Sequence, residues 1–198
     1  MAIVINGSGT VTGISVGGLP DGIVDAGTLA TNSVDSAELI DGSIDTAHIA
    51  TDQITSAILP AGSVLQVVQI TSNTSTNPNT SFADLGGADI TITPSATSSK
   101  ILVMWNTGGM ISGANYEVSC RILRDATVIR DMDRYGYDGE SGTVWQPCPI
   151  FLQYLDSPST TSAINYSLQF KVEADEDFRI NSNADTAGLV GIAMEIGA

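Results

Sequence analysis

The sequence predicts a mainly β protein. Its C-terminal part is expected to form an antiparallel β-sandwich or jelly roll, preceded by a repeat stalk of intertwined sister chains with short helical turns. Three observations carry this expectation. A ten-residue repeat runs from position 23 to 62, the hydrophobic period switches to two from Ser63 onward, and no long amphipathic helical pattern follows. The chain therefore divides into a leader (1–22), the repeat (23–62) and a β-patterned region (63–198).

Charge divides the chain into unlike halves. The 198 residues include 22 acids and 7 bases, a formal charge of −15, and every base lies at or beyond Lys100. So acidic a chain has no basic footprint for a phosphate backbone, which excludes nucleic acid as a partner. No apolar run approaches the roughly 18 residues that span a bilayer, so membrane insertion is not expected. The start, MAIVINGSGTVTG, has no basic stretch before an apolar one, and no secretory signal is expected. Cys120 and Cys148 are too few for a disulfide scaffold and lack metal-site spacing.

The leader places short apolar pieces (2–5 and 14–16) among glycines, which suggests β pairing with another protein or with sister chains.

Stacked in tens, the repeat reads IVDAGTLATN, SVDSAELIDG, SIDTAHIATD and QITSAILPAG. Its large apolar columns are Val24, Leu29, Val34, Leu39, Ile44, Ile49, Ile54 and Leu59, one every five residues. Five residues rotate about 140° on an α-helix, which scatters these side chains around the cylinder. On a strand an odd step alternates faces, and the three-and-four spacing of a coiled coil is absent. A mixed unit fits better: an extended link, a turn capped by the column-three Asp (Asp25, Asp35, Asp45), and a polar turn such as Asp41-Gly42. Two large apolar side chains per ten residues contribute at most about 3–6 kcal/mol on burial. That falls short of the roughly 10–20 kcal/mol needed to order ten backbones. Either sister chains wound about one axis bury the columns together, or the stretch is a solvated linker; the regular columns favour the stalk.

In the last region Tyr166, Leu168, Phe170, Val172 and Ala174 alternate with polar residues, as do Tyr116, Val118, Cys120 and Ile122. Such alternation marks half-buried antiparallel strands. Ile90 and Ile92 do the same briefly, and further strands are expected over 64–70, 100–106, 127–131, 144–155, 178–181 and 188–196. Turns separate them at Asn77-Pro78-Asn79, Gly86-Gly87, Gly108-Gly109, 139–142 and Asp156-Ser157-Pro158. About eight or nine short strands suit a sandwich or jelly roll.

The repeat TLATNSVDSAELIDGSIDTAHIA resembles the acidic stalk repeats of bacteriophage tail-fibre proteins, especially those of marine and cyanobacterial phages. LPAGSVLQVVQ, ITPSATSSKILVMWN, CRILRD and FLQYLDSPSTTSAINYSLQFKV resemble the domain that follows such repeats there. The resemblance covers about residues 20–196. It implies a homotrimeric virion fibre, assembled in the host cytoplasm, with the N-terminus on other virion proteins of the tail, baseplate or neck. The β-sandwich would face outward to touch a host surface glycan or protein. The eight column residues would then be the trimer stalk core. A capsid decoration or head/neck fibre protein without a receptor role is the alternative.

No residue pattern points to catalysis, a metal or a cofactor. His48, the single histidine, sits in column six, where Thr28, Glu38 and Ile58 also occur, and reads as a stalk residue. Asp131, Asp133 and Gly136 imitate the start of a calcium loop, which fails at Tyr135 and at Gly142. The acids at 175–177 read as a solvated hairpin tip. Arg134, Tyr135, Tyr137 and Trp145 lie within twelve residues on a glycine-bearing loop and form the candidate receptor-binding set. Planar rings with polar tips suit sugar faces and protein partners. The competing reading buries Trp145 in the core and packs the tyrosines between chains. Both Cys120 and Cys148 are expected on strands, as buried thiols.

Overall fold

The computed structural model describes residues 4, 5, 11, 12, 34, 39, 44–51, 53–55, 58–74, 80–112, 116–138, 146–172, 177–180 and 188–198. Two units make up the chain, Met1–Gln53 and Ile54–Ala198, so the last decapeptide, from Ile54, belongs with the larger one.

In the smaller unit, β1 (Val4–Ile5) and β2 (Val11–Thr12) pair antiparallel, Val4 opposite Thr12 and Ile5 opposite Val11. Within the leader, for which the sequence suggests pairing with another protein or with sister chains, the first apolar piece has a partner seven residues on, where closing a short loop costs little. Within the smaller unit's repeat, the N–H groups of His48 and Gln53 donate to the carbonyls of Asp45 and Ala50, at 3.1 and 3.3 Å. In the larger unit, the N–H of Ile58 donates to the Thr55 carbonyl at 3.0 Å. These turns keep the five-residue period of the apolar columns. Oδ1 of Asp45 accepts from the Ala47 N–H at 2.8 Å, the capping role expected of column three. Each turn stands alone, and among the described residues no helix forms.

Among the described residues the larger unit carries twelve strands. They are β3 (Val64–Ser72), β4 (Ala83–Asp84), β5 (Ile90–Ile92), β6 (Lys100–Thr107), β7 (Gly109–Ser112) and β8 (Tyr116–Arg124). The rest are β9 (Thr127–Asp138), β10 (Gln146–Pro147), β11 (Ile150–Asp156), β12 (Ile164–Val172), β13 (Asp177–Ile180) and β14 (Leu189–Ile196). A first sheet has the order β11-β6-β14-β3; a second has β4-β12-β8-β9, with β5 also on β12. A small third sheet, β10-β7-β13, extends the end where β6 and β11 meet. All pairs are antiparallel. Successive strands pass from one main sheet to the other, so sequence neighbours rarely pair. That order is the jelly roll.

Between the sheets lies one core. Ile101, Val103 and Trp105 of β6 and Ile150 and Leu152 of β11 face Val118, Cys120 and Ile122 of β8 and Tyr166, Leu168, Phe170 and Val172 of β12. The alternation read from the sequence sets these faces: Val118, Cys120 and Ile122 of β8 and Tyr166, Leu168, Phe170 and Val172 of β12 are buried, as expected. Trp105 is fully enclosed, and its Nε1 donates to the Ala88 carbonyl at 2.8 Å, so the ring brings no unpaired donor inside.

Two expectations need correction. The strand expected over 127–131 runs on to Asp138, through residues read as a loop. Register shifts opposite 118–120 and 122–123 insert extra residues into β9 and break its period, which hid it. The single strand expected over 144–155 is instead two, β10 and β11, on either side of Cys148 and Pro149. Pro147 and Pro149 lack the N–H groups that a continuous ladder needs.

Gly191 closes the packing of β14. A Cβ there would lie 2.8 Å from Ile70 Cγ1, which packs half-buried against the core, and 2.9 Å from Cδ1 of the enclosed Trp105. Gly191→Ala is therefore expected to lower the urea midpoint, by about 1–3 kcal/mol of stability, with the denaturant slope unchanged. A midpoint equal to wild type contradicts this packing.

Candidate functional site

Of the candidate binding set, which the sequence pattern assigns to a loop, Arg134, Tyr135 and Tyr137 lie on the last stretch of β9. Arg134 is exposed, has φ +53° in the left-handed region, and its Nη2 lies 2.9 Å from Glu117 Oε1. Tyr135 follows it, and Tyr137 stands opposite Glu117 in the ladder. The side chains of Tyr135 and Tyr137, and all of Trp145, lie outside the described residues. The two acids of the calcium-like pattern also sit on this strand. Asp131 is exposed, and Asp133 accepts from Ser119 Oγ at 2.8 Å.

Of the eight stalk-core positions, Val24 and Leu29 lie outside the described residues. The other six are bare in the single chain: Val34 45%, Leu39 43%, Ile44 49%, Ile49 40%, Ile54 53% and Leu59 37% exposed. His48 pairs locally, its Nδ1 2.8 Å from Asp45 Oδ1, and both side chains are exposed.

Both cysteines are free thiols. Burial above all, then the Asp131 charge, pushes Cys120 up to about 12, and burial also raises Cys148. Neither offers a ready thiolate.

Buried ionisable groups are the usual place to look for chemistry, and two stand out. Glu195 has no solvent exposure. Its Oε1 accepts from Ser95 N–H (2.7 Å), Ser95 Oγ (2.6 Å) and Ser99 Oγ (2.6 Å), and Oε2 from Gln66 Nε2 (2.5 Å). Burial pushes its carboxyl upward, but these donors more than offset it and hold the group below the ordinary value. Asp156 accepts both Arg124 Nη1 (2.9 and 3.1 Å) and the Tyr166 hydroxyl (2.8 Å), joining β11 to β8 and β12. Burial first, then that bond, raises Tyr166. In both clusters the carboxylate is engaged by donors of the fold itself, so each serves as a clasp between elements. Among the described residues no three His, Cys, Asp or Glu side chains gather as a metal site.

The outer face of the second sheet carries a polar cleft of about 460 Å³ lined by Asp84, Asp89, Arg121, Asn165 and Gln169 among others. Arg121 Nε donates to Gln169 Oε1 at 2.7 Å, and Gln169 Nε2 to Asp84 Oδ1 at 2.8 Å. The Arg121 guanidinium also stacks 4.0 Å from the Phe82 ring centroid. Asn165 Oδ1 is buried without a hydrogen-bond partner. These groups can hydrogen-bond a hydroxyl-rich ligand, though much of their capacity is spent on one another. No local sequence pattern marks this cleft, because its residues come from four segments that only the β4, β8 and β12 ladders bring together.

No protein-family model matches the chain, and no curated sequence does. Solved structures to which the chain shows a weak similarity include those of infectious bursal disease virus. The Gt strain is 14% identical over 67% of this chain and 38% of that one, with a TM-score of 0.31. The Gx strain is 11% identical over 70% and 39%, with a TM-score of 0.32. The VP2 subviral particle is 13% identical over 67% and 37%, also at 0.32. This chain spans under two-fifths of the length of those chains, and their function is not carried over to it. No helix among the described residues is long and apolar enough to cross a membrane.

The Glu195 clasp gives a pH test. Because its folded pKa is depressed, its stabilisation is complete above the ordinary value of 4.5 and is lost as pH falls towards the folded one. Wild type is expected to exceed Glu195→Gln by about 1–3 kcal/mol at pH 7, with the gap shrinking below pH about 4. Urea titrations at pH 7 and pH 3 check this; a gap that is constant or widens in acid contradicts it.

Proposed function

We propose that this protein is a homotrimeric virion fibre of the bacteriophage tail-fibre type, in which the repeat forms the stalk and the jelly-roll heads contact the host surface. One observation carries the reading. Every described column residue of the repeat, from Val34 to Leu59, is bare in the single chain. Side chains of this size at a fixed five-residue step are retained where sister copies cover them. The resemblance of the repeat and head to phage fibres supports the number three and the virion setting.

The mechanism is mechanical and multivalent, and no catalytic step belongs to it. Three equal heads on one stalk meet a surface that presents the same group many times, and weak single contacts gain avidity. The charge of −15 per chain keeps such particles apart from one another in solution.

Light scattering on the eluting chain should give three times 20.5 kDa, and a mass of one chain at micromolar concentration overturns the stalk. For the host contact, replacing Tyr135, Tyr137 and Trp145 together by Ala is expected to lower binding to host envelope at least about tenfold. Avidity multiplies the loss over three heads. Undiminished binding removes this set as the contact.

A further inference from the structure

The two outer faces of the jelly roll are unlike. On the second sheet the outer row Asp84, Gln169, Arg121 and Asp131, read across the ladder, is polar and charged. On the first sheet the equivalent row is Leu155, Leu102, Met194 and Val67, four apolar side chains abreast. The next row adds Met104 and Ile192, and the one beyond it Phe151 and Val190. Val67 is 56% exposed, Phe151 58% and Leu155 47%. The polar positions in these three rows are Gln153, Gln69, Asn106 and Thr71, amides and a hydroxyl. No acid stands on the face, in a chain that has 22. An antiparallel sheet that faces water alternates apolar with polar, whereas β14, LVGIAMEI, is apolar on both sides, the pattern of a strand covered twice.

We propose that this outer face of the first sheet is the surface on which a second copy of the chain seats, so that the heads as well as the stalk hold the trimer together. The inference rests on the trimer reading for the number of copies. Charge selects the occupant. Two chains at −15 each repel wherever their acids meet, and this is the broad face on which they can approach without bringing carboxylates together. A partner recruited by this chain's acidity would use a charged face instead. Area agrees. Four strands by seven residues make a face of about 19 by 24 Å, roughly 450 Å². A stable contact needs about 800 Å² per partner, so the face alone falls short and must act with the apolar columns of the repeat. The chain provides that continuity. The N–H of Gly62 donates to the Gly197 carbonyl (2.7 Å) and that of Gly197 to the Ser63 carbonyl (2.9 Å), tying the end of the repeat to the end of β14. Exposed Ile54, Ile58 and Leu59 lie just upstream in the same unit. Met104, Asn106, Phe151, Val190 and Ile192 wall a depression of about 430 Å³ on this face, room for an apolar side chain of the neighbour.

The test is the dissociation curve of the full-length Val67→Lys, Leu155→Lys double variant, by sedimentation and light scattering. Each side chain is about half exposed in the single chain, so the head should keep its fold, with the near-ultraviolet signal of buried Trp105 as the check. Lysine also reduces the net negative charge, so any loosening cannot come from added repulsion. The double variant is expected to dissociate at about a hundredfold or more higher concentration than wild type, since each contact would bury an unpaired charge. Thr91→Lys, on the outer face of the second sheet, is expected to match wild type. A folded double variant with the wild-type curve overturns this seat and leaves the stalk standing. A wild-type chain that runs singly overturns both and assigns the face to another partner. Should the pair fail to fold, Val67→Lys alone is read by the same criteria.

Discussion

Apolar surface that one chain cannot cover for itself is the constraint on which the rest of this protein depends. The head satisfies it internally: two sheets enclose Trp105, Tyr166, Phe170 and a shell of isoleucines and leucines that are almost wholly buried. The repeat does so less: its turns satisfy a few backbone groups, and its described column side chains stay 37–53% exposed in the single chain. The same shortage recurs on the outer face of the first sheet, where alternation between apolar and polar is lost. Two separate parts of the sequence thus leave apolar side chains exposed in the single chain.

Electrostatics sharpens the point. With acids outnumbering bases threefold, opposing copies have few places to touch, and the acids occupy the outer face of the second sheet, the turns and the polar columns. Where a carboxylate does go inside, donors surround it: four at Glu195, and a guanidinium with a phenol at Asp156. Those clasps fix how the sheets meet at one end of the sandwich.

Much of the head was legible because half-buried strands write a period of two into the sequence. The inward faces of β8 and β12 follow from Val118, Cys120 and Ile122 and from Tyr166, Leu168, Phe170 and Val172 without any structure. β9 was not legible past Asp131, since its bulges put successive apolar residues out of phase and Arg134 takes a left-handed turn within the strand. Strand order was not legible at all. It depends on pairings between segments as distant as β3 and β14, which no local pattern encodes. The polar cleft on the second sheet was missed for the same reason. Glu195 was overlooked because it stands in an apolar run, where its partners Gln66, Ser95 and Ser99 are about a hundred residues away. The repeat, in contrast, writes its five-residue apolar step directly into the sequence.

Hydrogen exchange across residues 23–62, followed while the purified chain is diluted through its association range, tests this dependence most directly. Amides of the repeat should be protected in the associated protein and lose that protection in step with the fall in mass, while the core strands β6, β8 and β12 keep theirs. Protection of the repeat that persists in solitary chains, or free exchange within the intact assembly, would contradict the claim that sister copies complete it.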